Sequence, residues 1–256
     1  PGRMARPHPR PIAPGGRTVF GAPVGILMLE TRFPRIPGDI GHAGTWPFPV
    51  LYQVVRGASP ARVVEQGGRG LLPDFIAAGQ ALVATGADAI TTSCGFLVLF
   101  QAELQAALGV PVATSALLQI PWVQAMLPPG RRVGVLTASR AALTPAHLAA
   151  AGAPADTPVG GLEGGTALYP VLVRQETPDL DPAAAAAEVV AAGHALAAAH
   201  PDLGAIVLEC TNLPPYAAAL RAALGLPVFD IVSLVIWLRL GVQPGRFPAL
   251  AGPHGG

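Results

Sequence analysis

Lysine is absent from the 256 residues, so all 16 basic side chains are arginine. That excludes a Schiff-base lysine, hence ordinary pyridoxal chemistry, and it excludes the lysine of a phosphate loop. Charge is sparse: Asp, Glu, Lys and Arg make up 12% of the chain, about half the usual ~25%. The 16 basic and 15 acidic residues nearly cancel. The basic excess that a phosphate backbone demands is therefore missing, and no nucleic-acid partner is expected. Long apolar runs are missing too. Mean hydropathy is +0.48, yet stretches such as Ile231 to Trp237 and Leu97 to Phe100 fall far short of the ~18 residues of a membrane helix, and no membrane partner is expected. Pro1 to Arg17 lacks the apolar core of a signal peptide and reads as a flexible tail, which implies a cytoplasmic, reducing setting. The 2 cysteines, Cys94 and Cys210, then read as individual thiols rather than a structural disulfide.

What is present is apolar residues, 51% of the chain, and a duplication. Ala89 to Leu97 lies over Ala205 to Leu213 at a constant offset of 116 residues, which superposes Cys94 on Cys210. The register continues, setting Leu104, Leu108, Gly109 and Pro111 on Leu220, Leu224, Gly225 and Pro227. Upstream, Ala77 to Leu82 matches Ala191 to Leu196, and Val24 to Leu27 resembles Val133 to Leu136. Alanine richness inflates the helical matches; the cysteine, glycine and proline coincidences are harder to dismiss. Pro128-Pro129-Gly130 marks the passage between the repeats.

Each half reads strand, loop, helix, strand, turn, helix, strand. Val24 to Leu29, Ala89 to Thr92, Val133 to Leu136 and Ala205 to Leu208 are apolar runs without polar alternation, as in strands covered on both faces. Asp74 to Thr85, Gln101 to Leu108, Asp181 to Ala199 and Tyr216 to Leu224 are helical, and Gly109 and Gly225 end two of them. Alternating strands and helices predict an α/β protein of two pseudosymmetric, doubly wound parallel-sheet lobes with the active site in the cleft between them. The expected division is a tail over 1–18, one lobe from 19–115 plus 231–256, and a second from 116–230. In such sheets ligands bind beyond the carboxyl ends of the strands, where both cysteines fall. Gly160 to Gly165 reads as a flexible loop, and the six histidines lack metal-type spacing.

Two thiols on opposite sides of one carbon can remove a proton next to a carboxylate and return it on the other face. Both cysteines precede helices, whose N-termini favour thiolate, and the same turns offer backbone N–H groups to a carboxylate. No metal or organic cofactor is then needed.

Ile90-Thr91-Thr92-Ser93-Cys94-Gly95 and Leu208-Glu209-Cys210-Thr211-Asn212 resemble the paired cysteine motifs of the aspartate/glutamate racemase superfamily, which also holds hydantoin racemases, maleate isomerases and arylmalonate decarboxylases. The resemblance runs from about Val19 to Trp237. It implies a cofactor-independent isomerase, a racemase or epimerase of an amino acid or amino-acid derivative, with Cys94 and Cys210 as acid and base. A maleate-type cis-trans isomerase and a non-catalytic binder of small carboxylates are the alternatives. Thr211, Asn212, Thr92, Ser93 and Gly95 are expected to bind a small carboxylate substrate, with Phe96 making the pocket partly apolar. The loop after the first strand offers Arg32 as carboxylate clamp with Thr31 beside it, and Thr114, Ser115 and Thr137 offer hydroxyls. Gly95-Phe96 stands where amino-acid racemases carry Asn-Thr. Glu209 replaces a small residue and, on a strand, is expected to point away from Cys210. The apolar segment Ile231 to Leu240 suggests a homodimer.

Overall fold

The computed structural model describes residues 13 and 15–245. Most of the expected tail, and the part of the first lobe assigned to 246–256, lie outside the described residues, as do His8 and His254. Where the expected tail ends it is anchored, because Arg17 Nη1 meets the Asp88 carboxylate and donates to Gly86 O.

Two four-stranded parallel sheets form the framework. The first comprises β1 (Val24–Leu29), β2 (Val50–Val55), β3 (Ala89–Thr92) and β4 (Val112–Ala113), in the order β2-β1-β3-β4. The second comprises β5 (Arg132–Thr137), β6 (Val159–Gly161), β7 (Leu203–Leu208) and β8 (Val228–Phe229), in the order β6-β5-β7-β8. The duplication seen in the sequence is thus a duplication of topology. Ile90 faces Val112 across β3 and β4, and their sequence equivalents Ile206 and Val228 face each other across β7 and β8. β1, β3 and β7 are buried throughout, which is why their sequences show no polar alternation.

Helices α1 (Leu72–Thr85) and α2 (Gln101–Leu108) flank the first sheet, and α6 (Pro182–Ala199) and α7 (Ala217–Leu224) take the matching positions on the second. The repeated glycines have a packing reason. A Cβ on Gly79 of α1 would sit 2.7 Å from Leu108 of α2, and one on Gly193 of α6 would collide with Leu220 of α7. Each pair of helices approaches closely only because that position lacks a side chain. Gly109 and Gly225 end α2 and α7 with left-handed φ angles of 66° and 68°, a conformation glycine adopts without strain.

α6 has the length and apolar composition of a membrane-crossing helix, but its apolarity comes mostly from alanine. In the fold it lies against β5, β6 and α7 with Ala185, Val189, Gly193 and Leu196 buried. Asp181 caps its start, accepting from the N–H groups of Ala183 and Ala184.

The remaining helices are α3 (Ile120–Met126), α4 (Pro145–Ala150), α5 (Tyr169–Leu172) and α8 (Ile231–Val242). Asp230 caps α8 through Ser233, and the Gln119 side chain joins the same cap from the crossover between the repeats. α8 packs on β3, β4 and β8. Its apolar run is spent largely inside the molecule, where Ile231, Leu234, Val235 and Leu238 are buried. Trp237 stays exposed and stacks on Trp122 at 4.3 Å. Gly160 and Gly161, expected in a flexible loop, lie instead in β6, paired to Leu136 and Thr137. Leu136 and Leu196 crowd Gly160 closely, so the small residues let α6 lie on this edge strand.

Leu104 of α2 is fully buried in the first core. Leu104→Ala is expected to cost about 2–5 kcal/mol through lost transfer energy and an unfilled cavity, read as a lowered urea midpoint at unchanged m-value.

Candidate active site

Both cysteines sit where their strands end. Cys94 follows Ser93 after β3, in extended conformation, and a 3-10 turn over Gly95–Phe100 then runs into α2. Cys210 follows Glu209 after β7, and a 3-10 turn over Pro214–Tyr216 leads into α7. Both thiols are free, Cys94 buried and Cys210 half-buried.

The two strand-end turns touch. Thr211 Oγ1 donates to Ser93 O at 2.6 Å, and Ser93 Oγ in turn accepts from Leu29 N at 2.8 Å. A Cβ on Gly95 would collide with the main-chain oxygen and Oε1 of Glu209. The result is one narrow cavity of about 40 Å³ with an open mouth, lined by both cysteines. Leu29, Phe33, Val64, Phe96, Ala138, Leu172 and Val173 give it apolar walls, while Thr31, Arg35, Ser93, Glu209, Thr211 and Asn212 supply polar groups.

Among the expected site residues, Cys94, Cys210, Ser93, Gly95, Phe96, Thr211, Asn212 and Thr31 line this cavity. Thr92, Thr114, Ser115 and Thr137 do not, and each hydroxyl has a fixed partner. Thr92 donates to Thr114 O, Thr114 bonds the Gln101 side chain, Ser115 caps the turn at Leu117, and Thr137 donates to Glu209 Oε2. Arg32 lines a separate surface depression with Glu30 and Gln175. Arg35, three residues on, reaches the cavity instead. Nη1 pairs with Asp39, Nη2 donates to Thr31 Oγ1, and the guanidinium lies over the Phe33 ring at 4.5 Å. The correction follows from the loop's path, which turns back after Phe33. Arginine content alone could not choose between the two.

A polar chain extends from Cys210. Its Sγ donates to Asn212 Oδ1 at 3.5 Å, the Asn212 amide donates to Asp39 Oδ2, and Asp39 holds Arg35. Asp39 thereby fixes which face of the Asn212 amide meets sulfur. Burial, and then the adjacent Glu209, push both thiols upward, so both are protonated at neutral pH. Backbone N–H groups of Phe96 and Leu97 at Cys94, and of Asn212 at Cys210, pull the other way.

Glu209 departs most from expectation. It lies one residue beyond β7 on the cavity wall, with its carboxyl held between Thr137 and the Gly95 backbone, close enough to Cys94 and Cys210 to act on both thiols. It is fully buried, and burial pushes its carboxyl up to about 7 despite the Thr137 hydrogen bond. The sequence signal was the pairing of Glu209 with Gly95, since only a glycine at 95 leaves room for the carboxyl. Among the described residues no group of three or more His, Cys, Asp or Glu could hold a metal ion.

No protein-family model matches the chain. A dimethylsulfoniopropionate lyase of Durusdinium sp. clade D is 29% identical over 241 residues, covering 88% of this chain and 77% of that protein. In Emiliania huxleyi, dimethylsulfoniopropionate lyase 3 is 33% identical over 227 residues, and lyase 5 is 31% identical over 225. Those matches cover 82% and 83% of this chain but span only 57% and 44% of the relatives. Among solved structures, unliganded arylmalonate decarboxylase superposes with a TM-score of 0.58 at 18% identity, covering 90% of this chain and 96% of the other. Allantoin racemase from Pseudomonas fluorescens superposes at 0.52 and 18%, covering 90% and 100%. The fold is therefore the two-sheet fold expected from the cysteine motifs.

The activity expected from those motifs is overturned. The sequence relatives are lyases, so neither racemase nor isomerase, the cis-trans isomerase included, describes this chain, and a non-catalytic binder is equally out of line with them. Paired thiols at the strand ends belong to the scaffold. They do not encode where the electron pair goes once the first bond is broken.

Glu209 also governs stability. Its carboxyl ionises near 7 when folded, against an ordinary 4.5. The contribution from its protonated form is complete below about 4.5 and is lost as pH rises through about 7. Glu209→Gln is expected to flatten the pH dependence of unfolding free energy across that window. Above it, the variant should gain on the order of 3 kcal/mol. Parallel wild-type and variant curves in urea titrations at pH 5 and 8 would refute the assignment.

Proposed function

We propose that this protein is a dimethylsulfoniopropionate lyase that uses a cysteine base to remove the proton α to the substrate carboxylate. The observation that carries the reading is the placement of Cys94 and Cys210 on one apolar-walled cavity beside Arg35, and the lyase relatives support it over more than four-fifths of the chain.

The chemistry needs few groups. Arg35 and Thr31 receive the carboxylate, a fixed guanidinium being suited to bidentate binding. A thiolate takes the α-proton, and the C–H electron pair becomes the new carbon–carbon double bond. The bond from the β-carbon to sulfur breaks with its electron pair leaving on sulfur. The products are acrylate and neutral dimethyl sulfide. Because the leaving group departs uncharged, no general acid is required, and a second cysteine is not needed for proton donation.

Each turnover releases one proton, so the base must return it to water. Cys210, the more exposed thiol, takes that role, while the more deeply buried Cys94 shapes the inner wall. A sulfonium cation in the cavity opposes the desolvation that holds the thiols neutral and so promotes the thiolate. Ser93, Gly95, Thr211 and Asn212 line the rest of the cavity.

Incubation with dimethylsulfoniopropionate is expected to release dimethyl sulfide and acrylate in equal amounts, followed by headspace gas chromatography and liquid chromatography. Cys210→Ser should lower kcat by about 10²–10⁴-fold, and Cys94→Ser by less. Undiminished release by Cys210→Ser would remove it as the base.

A further inference from the structure

Glu209 is a fully buried carboxyl with half of its hydrogen-bonding capacity unused. Its main-chain N–H donates to Leu136 O, which continues the β5–β7 pairing by one residue and fixes the backbone. Oε2 accepts from Thr137 Oγ1 at 2.6 Å. Oε1 has no hydrogen-bond partner among the described residues. It lies over the bare Gly95 backbone, out of solvent contact, behind the wall that Glu209 shares with both cysteines. No arginine or histidine forms an ion pair with it among the described residues, and Arg35 on the same cavity is engaged by Asp39 and Thr31.

A buried carboxyl left half-satisfied is costly to keep and is retained where something else completes it. Two kinds of ligand could do so. One is a hydrogen-bond donor; the other is set by the apolar part of the cavity wall, Leu29, Phe33, Phe96, Leu172 and Val173. Those surfaces suit a cation clothed in methyl groups, which brings positive charge, offers no N–H or O–H, and buries apolar area as it enters.

We infer that Glu209 is the counter-ion for the substrate's dimethylsulfonium group and sets the preference of the pocket for a cationic over a neutral substituent. This inference rests on the lyase reading for the identity of the cation. Gly95 and Thr137 are positioning residues in it, one making room for the carboxyl and the other holding its far oxygen.

The inference assigns Glu209 a distinct kinetic role. As the carbon–sulfur bond breaks, the sulfonium loses its charge, so the ion pair is stronger in the bound substrate than in the transition state. Interactions of that kind lower KM without raising kcat. A general base at the same position would do the opposite.

The test uses two unreactive ligands of equal shape, 3-(trimethylammonio)propanoate and 4,4-dimethylpentanoate, which differ only in the charge of one atom. Calorimetry on the wild type should favour the cation by about tenfold or more, and Glu209→Gln should bring the ratio close to one while leaving the neutral ligand's Kd unchanged. With dimethylsulfoniopropionate, Glu209→Gln should raise KM about tenfold or more with kcat held within about threefold. Retention of the wild-type charge preference by the variant, or a collapse of kcat at unchanged KM, overturns the inference.

Unmodified protein supplies a second measurement if the variant fails to fold. Its preference for the cation should grow as pH rises through about 7, where Glu209 ionises. Cys94 and Cys210, the titratable groups facing Glu209, stay neutral there, and Arg35 keeps its charge. A preference independent of pH counts against Glu209. Failure to release dimethyl sulfide, with the charge preference intact, would overturn the lyase reading and leave Glu209 as a cation site.

Discussion

The hydrogen bond from Thr211 Oγ1 to Ser93 O joins the ends of β3 and β7 directly, and the site depends on that contact. Each strand end alone is an ordinary strand-to-helix turn. Brought together, they make the inner wall of one cavity, with Cys94 on one side of the seam and Cys210 on the other. Close approach is possible because Gly95 presents no side chain to Glu209. The loop after β1 closes the same seam, since Asp39 binds Asn212 and positions Arg35. Three separate stretches of chain are thereby fixed around one cavity.

Much of the framework was legible because parallel strands covered on both faces leave unbroken apolar runs. Val24–Leu29, Ala89–Thr92 and Gln101–Leu108 are found with the boundaries expected of them. The duplicated glycines were readable as coincidences, and their cause, close helix approach at Gly79 and Gly193, needed coordinates. Edge strands were less legible. Val159–Gly161 is a strand only because β5 lies beside it and α6 covers it, and nothing local in Gly160-Gly161 says so.

Within the site, the residues on the two strand-end turns could be named from the repeat. Those supplied by loops could not. Arg32 and Arg35 are separated by two residues, and the direction of the intervening backbone decides which guanidinium meets the cavity. Glu209 was misjudged for a related reason. Strand alternation separates Glu209 from Cys210, yet both lie on the cavity wall, because the cavity opens where β7 ends. Departures from a family pattern are most informative in spatial pairs. Gly95 and Glu209 each look like an isolated oddity, and together they describe one carboxyl in one space.

The duplication holds in strand order and is broken in chemistry at the cavity. At an offset of 116 residues, Ser93 corresponds to Glu209, Gly95 to Thr211 and Phe96 to Asn212. The first half thus contributes a small hydroxyl, a bare backbone and an aromatic wall, and the second contributes a buried acid and two polar side chains. A pocket that exchanges mirror-image substrates gains from matching halves, because each half serves one direction of the same reaction. An elimination has no such mirror. Its substrate carries an anion at one end and a departing cation at the other, and the proton leaves for water instead of returning to carbon. Unlike surroundings for the two thiols are what that reaction requires: one must exchange its proton with solvent and the other need not. Cys210 is tied to Asn212 and through Asp39 to Arg35, and Cys94 is set among backbone N–H groups, so the two thiols do have unlike surroundings.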